Sequence, residues 1–224
     1  MSTNSGQVQI EQFTVSLYGH FSTPVPTGGL IKLLEKYAAD VNLYADLSRE
    51  GEGVEGVTVF LTGKRPTVRV ARELYVDPIR SHRCRYALAH EYGHVYLHAP
   101  AWRRRWMNNE EVRRCSGNNV LTLDIGFDWM EWQASYAAGA LLMPKSRLHL
   151  TVAAYFRGRE IRKLPNDSPE ANNLKQRVGE AYDVSAEAAG VRLSQLGYLA
   201  ANSRPSPMAA SCGVRRLSPA VCNS

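Results

Sequence analysis

The sequence contains no apolar run that approaches the roughly 20 residues needed to cross a bilayer. Its first seven residues are mostly polar and carry no charged side chain, whereas a secretory signal starts with positive charge and continues with an apolar segment. Only four cysteines are present, and no two of them form a C-x-x-C pair, so neither a disulfide framework nor a cysteine zinc site is expected. These absences predict a cytoplasmic protein with free thiols and no membrane contact.

Length and composition are those of an ordinary globular protein. The chain has 224 residues, of which 44% are hydrophobic and 21% charged, which suits one domain or one domain with an appendage. The net charge of +6 permits contact with nucleic acid or an acidic partner without requiring it. The densest basic cluster is Arg103–Arg105 with Arg113 and Arg114. It is either a solvated loop or a rim that attracts an acidic substrate segment.

Regular structure is predicted from about residue 30 onwards. Residues 1–29 show no sustained period and end in prolines and glycines, so we expect an extended lead-in. Residues 30–39 carry apolar side chains at helical spacing and predict an amphipathic helix. Residues 201–224 are rich in serine, proline and alanine, and we expect a disordered tail.

A small sheet is predicted after the first helix. Gly56–Leu61 and Thr67–Ala71 read as strands joined by a turn, and Val41–Ala45 is either a third strand or a continuation of the helix. We expect the sheet to be antiparallel and the fold class to be α+β. An edge strand could bind a peptide by strand addition, or the sheet could be purely structural.

A histidine pair in the motif H-E-x-x-H is the most informative feature of the chain. His90 and His94 are one turn apart if the segment is helical, so both imidazoles can reach one metal ion. Glu91 lies beside them and can act on water without binding the metal. Two histidines, a carboxylate base and a missing third ligand are the components of a hydrolytic zinc site.

The helix that carries this motif is predicted to have clear ends. Asp77 and Pro78 provide a cap and a first-turn proline upstream, and Pro100 is expected to stop the helix. Residues 100–120 are polar and rich in arginine and asparagine, and they predict a long loop of the kind that forms lids.

Glu131 is the candidate third ligand. It stands in the apolar segment 128–144, which reads as a second helix, and a carboxylate in such surroundings needs a partner. An exposed carboxylate at a helix start is the alternative. Ser135, one turn later, could hold the free nitrogen of a ligating histidine.

Other residues near the motif have weaker claims. His98 is two turns from His90, about 12 Å along a helix, so it cannot share a tetrahedral ion with that residue. It is either a histidine at the helix end or a donor at the rim of the site. Tyr92, His98 and His82 are candidate donors to an oxyanion, and no choice among them follows from the sequence.

The chain resembles the ImmA/IrrE-type metallopeptidases. The similar segments keep their order and spacing over about residues 30–198, and they are Arg85–His94, Glu131–Pro144 and Val184–Tyr198. The resemblance implies a zincin-like helical core over residues 30–156, followed by a helical C-terminal subdomain, residues 157–200. Members of this family typically carry Asn or Asp where this chain has Ser135, so the bond to a ligating histidine is expected to be weaker here.

The same resemblance implies a zinc-dependent endopeptidase. It implies that His90, His94 and Glu131 bind Zn2+ and that Glu91 is the catalytic base. Known members cleave helix-turn-helix transcriptional repressors, so the implied partner is a DNA-binding repressor.

Two alternatives stay open. The protein could be a non-catalytic metal-binding regulator that docks on a repressor or on DNA. Residues 157–200 could themselves form a helix-turn-helix, although Arg192 is the only strong basic residue in the presumed reading helix. A helical pair packed on the core is therefore the preferred interpretation of this subdomain.

Overall fold

The computed structural model describes residues 7–12, 24–51, 53–60, 63–107, 127–157 and 160–200. Over these ranges the protein is mixed α and β, mostly helical, with one three-stranded sheet, so the predicted α+β class is confirmed. The described residues form two compact units. One contains Leu30–Ser135, and the other contains the residues up to Gly29 together with those from Tyr136 onwards.

Helices make up most of the described residues. They are α1 (residues 7–12), α2 (Thr27–Tyr37), α3 (Arg72–Val76), α4 (Ser81–Gly93), α5 (Ala99–Met107), α6 (Phe127–Leu142), α7 (Lys145–Phe156), α8 (Pro169–Tyr182) and α9 (Ala186–Gln195). The prediction of an extended lead-in over residues 1–29 is wrong where the structure describes it, because residues 7–12 are helical and α2 already begins at Thr27. The predicted tail, residues 201–224, lies outside the described residues. None of the described helices has the length and apolar character needed to span a membrane.

The sheet contains β1 (Asp40–Ala45), β2 (Gly56–Val59) and β3 (Thr67–Ala71). Its strand order is β1-β3-β2, with β2 and β3 antiparallel and β1 and β3 parallel. The prediction of an antiparallel sheet is therefore wrong for β1. Apolar alternation reports which face of a strand is buried and carries no information on strand direction. Strands β1 and β2 therefore lie at the two edges of the sheet, and β3, the last strand in the chain, pairs between them.

Helix α4 brings the histidine motif into the core. Asp77 accepts a hydrogen bond from the backbone N–H of Ile79 and caps a 3₁₀ turn, Pro78–Arg80, that leads directly into α4. The side chains of α4 are buried from Cys84 to Gly93 except that of Tyr86. The motif is thus held on a helix surrounded by protein on most sides, and its polar groups need partners within the fold.

The chain stays helical past Pro100, where a stop was predicted. A π-helical turn, His94–His98, follows α4 and leads into α5. Proline is tolerated in the first turn of a helix, since the N–H that it lacks has no regular acceptor there. The loop predicted from residue 100 is consequently helical as far as Met107, while residues 108–120 lie outside the described part of the chain.

Helices α8 and α9 form a tightly turned pair. Ser185 caps α9 by accepting from the backbone N–H of Ala188 at 3.1 Å, and Asp183 takes a left-handed conformation, with φ of 53°. The side chain of Arg192 on α9 is 1% exposed, and its guanidinium donates to the Met143 carbonyl and to Glu11. Arg192, the one basic residue of the presumed reading helix, is therefore buried and hydrogen-bonded within its own unit.

A candidate metal centre

Three side chains converge in the unit formed by Leu30–Ser135. His90 lies in the last turn of α4, His94 starts the π-helical turn, and Glu131 lies in the first half of α6. The Nε2 atoms of the two histidines are 3.0 Å apart. Glu131 Oε2 lies 3.1 Å from His90 Nε2, and Glu131 Oε1 lies 3.1 Å from His94 Nε2. The sequence predicted these three residues as a ligand set, and the fold brings them together.

The donor set fits a divalent metal ion. Two imidazole nitrogens and one carboxylate oxygen are a common protein ligand set for zinc, with Zn–N near 2.0–2.1 Å. Tetrahedral geometry then separates neighbouring donor atoms by roughly 3.3 Å, so the observed separations of 3.0–3.1 Å need only a slight expansion. Within the described residues, these three side chains form the group that could hold a metal ion.

The electrostatics of the cluster favour a charged carboxylate. Burial on its own would raise the pKa of Glu131, but the close polar contacts of its carboxylate with the rings of His90 and His94 outweigh burial and lower that pKa to about 2. Burial also disfavours the protonated form of His94, yet the close contact with Glu131 and the negative charge of that carboxylate raise the pKa of the histidine. An anionic Glu131 beside two imidazoles would attract a cation to the cluster.

His98 lies behind His94 instead of at the rim of the site. It is 5% exposed, its Nδ1 is 3.0 Å from His94 Nδ1, and its Nε2 is 3.2 Å from Gln133 Oε1. Burial, and then the charge of His94, lower the pKa of His98 to about 3, so the ring is neutral at physiological pH. His98 thus contacts the ligand set from its protein side.

Ser135 is placed beside His90, as the sequence suggested. Its Oγ lies 3.4 Å from His90 Nδ1, which is long for a hydrogen bond between nitrogen and oxygen. The contact is on the ring nitrogen opposite the one that faces Glu131.

Glu91 points at the sheet. Its side chain is fully buried, and its Oε2 accepts a hydrogen bond of 2.5 Å from the hydroxyl of Thr58 on β2. Gly56, two residues earlier on the same face of the strand, leaves room for the carboxylate, because a Cβ there would lie 2.5 Å from Oε1. Glu91 Oε1 itself has no hydrogen-bond partner among the described residues.

The two remaining candidates do not join the cluster. Tyr92 is 1% exposed and packs edge-on to Tyr37 and tilted against Tyr96, and burial raises the pKa of its hydroxyl. His82 is exposed in the first turn of α4, two turns before His90. Neither stands where the donor atoms of the ligand set meet.

Sequence reasoning missed Gly56, Thr58 and Gln133. Gln133 carried a usable signal, since it is a polar residue in an apolar helix two positions after Glu131. Thr58 and Gly56 carried none, because they are more than 30 residues from Glu91 in the chain and look like ordinary strand residues. Only the packing of β2 against α4 brings them to the carboxylate.

No protein-family profile matches this chain, and no curated protein shows significant similarity to it.

Proposed function

We propose that this protein is a zinc-dependent endopeptidase. The observation that carries the proposal is the convergence of His90, His94 and Glu131 within 4.8 Å of one another, with a buried carboxylate, Glu91, next to His90 in the chain. Two histidines and one glutamate leave an open position for water or substrate, which distinguishes a catalytic zinc site from a closed structural one. The sequence resemblance to ImmA/IrrE-type metallopeptidases supports the same reading.

His90, His94 and Glu131 would hold the ion. A divalent ion there supplies Lewis-acid chemistry, because it polarises a carbonyl and makes water more acidic. The chain supplies the proton acceptor. Thr58 occupies Oε2 of Glu91, whereas Oε1 is without a partner among the described residues. Oε1 is therefore the atom that would take a proton from the attacking water and return it to the leaving amine.

The proposed substrate is a protein, namely a DNA-binding repressor of the helix-turn-helix class. This part of the proposal is supported by the resemblance in sequence alone. The edge strand β2 contacts Glu91, so an extended peptide added along that edge would lie beside the strand that holds the proposed base.

Replacement of Glu91 by glutamine tests the chemistry. Glu91→Gln keeps the shape of the side chain and removes its ability to accept a proton at neutral pH, so we expect cleavage to fall by about 100-fold or more. Zinc content should stay at the wild-type level, because Glu91 is not one of the converging donors. The measurements are metal content by mass spectrometry and fragments of a panel of helix-turn-helix repressors, each co-produced with the protein.

Glu73→Gln is the matched control, since Glu73 is exposed on α3 in the same unit. It should leave both cleavage and zinc content unchanged. Equal cleavage by wild type and Glu91→Gln would contradict the proposed role of Glu91.

A second function, metal-dependent docking on a repressor without cleavage, is favoured by one observation. Glu91 is completely buried and hydrogen-bonded to Thr58, an arrangement that suits a structural carboxylate as well as a base. Docking predicts that a repressor is inactivated without fragments, and that Glu91→Gln inactivates it as well as wild type does.

A further inference from the structure

The side chains behind the ligand set form a continuous row. From the donor atoms outwards the row is His94, His98 and Gln133, with contacts of 3.0 Å between the two Nδ1 atoms and 3.2 Å between His98 Nε2 and Gln133 Oε1. All three stand in the same compact unit. Both histidines are buried, at 3% and 5% exposure, so water cannot readily replace the contact between the two rings.

We propose that His98 and Gln133 are positioning residues that fix the tautomer and ring orientation of His94, so that its Nε2 presents a lone pair to a metal ion. The inference rests on the proposed metal site and deepens it. Neither residue touches the converging donor atoms of the other two ligands, and both would act through His94.

The argument starts from the chemistry of two facing ring nitrogens. A neutral imidazole carries one N–H and one lone pair. Two Nδ1 atoms at 3.0 Å form a hydrogen bond only when one of them carries hydrogen and the other does not. The row therefore has just two possible directions.

Gln133 selects between these directions. Its Oε1 has no hydrogen and can only accept, so His98 must carry hydrogen on Nε2, the atom that faces Gln133. A neutral His98 then has a bare Nδ1, which accepts from His94 Nδ1–H. A neutral His94 is then left with a bare Nε2, the atom that faces Glu131 and His90.

The opposite direction would abolish the site. If His98 carried its hydrogen on Nδ1, it would donate to His94 Nδ1, and a neutral His94 would carry hydrogen on Nε2. That N–H would point at Glu131 Oε1, 3.1 Å away, and no lone pair would remain for a metal. The amide oxygen of Gln133, two residues after the carboxylate ligand on α6, thus decides whether His94 can bind.

The two histidine ligands are supported unequally. The contact of His90 Nδ1 with Ser135 is 3.4 Å, longer than the 3.0 Å between His94 and His98. A hydroxyl can also donate or accept by rotation, so Ser135 imposes no direction on His90. Loss of the His98 ring nitrogens should accordingly weaken metal binding more than loss of the Ser135 hydroxyl.

The test uses Zn2+ alone as the probe and the full chain, with affinity measured by competition with a chelating dye. His98→Phe keeps a planar ring and removes both nitrogens, and we expect zinc affinity to fall about 10–100-fold. Gln133→Met removes the acceptor, and its zinc affinity should also be lower than that of wild type. His98→Asn places an amide oxygen near the position of Nδ1 and should restore part of the affinity, while Gln133→Glu keeps an acceptor and should bind like wild type.

His149→Phe is the matched control, because His149 is exposed and hydrogen-bonded to Tyr198 in the other unit. It should leave zinc affinity unchanged. Wild-type affinity in both His98→Phe and Gln133→Met would overturn the inference and leave the proposed metal site standing. A wild-type chain that takes up no Zn2+ would overturn the proposed function, and the inference with it.

A second measurement needs no variant. Long-range proton–nitrogen correlations in the zinc-loaded wild-type protein report which nitrogen of each ring carries hydrogen. We expect His98 to be protonated on Nε2 and bare on Nδ1, and His94 to be protonated on Nδ1. A His98 ring protonated on Nδ1 would overturn the inference even if every variant bound zinc weakly.

Discussion

At the scale of single residues, Glu91 is the side chain with the most unusual surroundings. A fully buried carboxylate is costly unless hydrogen bonds compensate for the lost water, and the described residues give it one such bond, from Thr58. Gly56 contributes by having no side chain, since a Cβ would overlap with the carboxylate. These two strand residues and Glu91 form one packing unit.

Thr58→Val should destabilise the protein. Valine has nearly the same shape, so the main change is that Glu91 loses its hydroxyl donor, and we expect the free energy of unfolding to fall by about 1–3 kcal/mol. Urea denaturation followed by circular dichroism measures this difference.

Two further variants isolate the hydroxyl. Thr58→Ser keeps the donor and should lose less stability than Thr58→Val. Thr67→Val, at a half-buried position on the neighbouring strand, makes the same chemical change away from Glu91 and should have little effect. If Thr58→Val unfolds at the wild-type urea concentration, the Thr58–Glu91 bond contributes nothing to stability.

At the scale of elements, two helical glycines differ in the space that a side chain would have. Gly179 on α8 packs under the turn to α9, where a Cβ would lie 2.9 Å from the backbone oxygen of Val184. Gly28 in the first turn of α2 has nothing within 4 Å of the same position. The α8–α9 turn therefore depends on a missing side chain, and the start of α2 does not.

Alanine at these two glycines should have effects of opposite sign. Gly179→Ala forces backbone against side chain, and we expect a loss of at least about 1 kcal/mol in the free energy of unfolding. Gly28→Ala restricts the unfolded chain without a clash and should add up to about 1 kcal/mol. Urea titrations of both variants measure the difference, and a loss of stability in Gly28→Ala as large as that in Gly179→Ala would contradict this account of the turn.

At the scale of the whole molecule, the proposed metal site should couple ion binding to folding. The three donors come from α4, the π-helical turn and α6, so an unfolded chain cannot present them together and binding favours the folded state. Free Zn2+ at 100 times its dissociation constant should add about 2.7 kcal/mol to the stability.

Thermal unfolding with Zn2+ and with a chelator measures this coupling. The melting temperature should rise with Zn2+ and return to the metal-free value when the chelator is added. His90→Ala removes one donor and should abolish most of the rise. A rise of equal size in wild type and His90→Ala would show that the ion acts elsewhere on the protein.

Local features of the fold follow from the order of residues along the chain. A spacing of four residues puts His90 and His94 on one helical face whatever surrounds the helix, and apolar periodicity predicts α2, β2 and β3. Glu131 could be chosen from the sequence because a lone carboxylate in an apolar helix requires a partner. These inferences depend on neighbours within a few turns of the chain.

The other features depend on how distant segments pack in the folded protein. The parallel direction of β1, the continuation of the helix past Pro100, and the contacts of Glu91 with Thr58 and of His98 with Gln133 each depend on which elements pack together. Apolar periodicity encodes the buried face of an element but not its partner or direction. The side chains that orient the ligands and the candidate base therefore become visible only when distant segments meet.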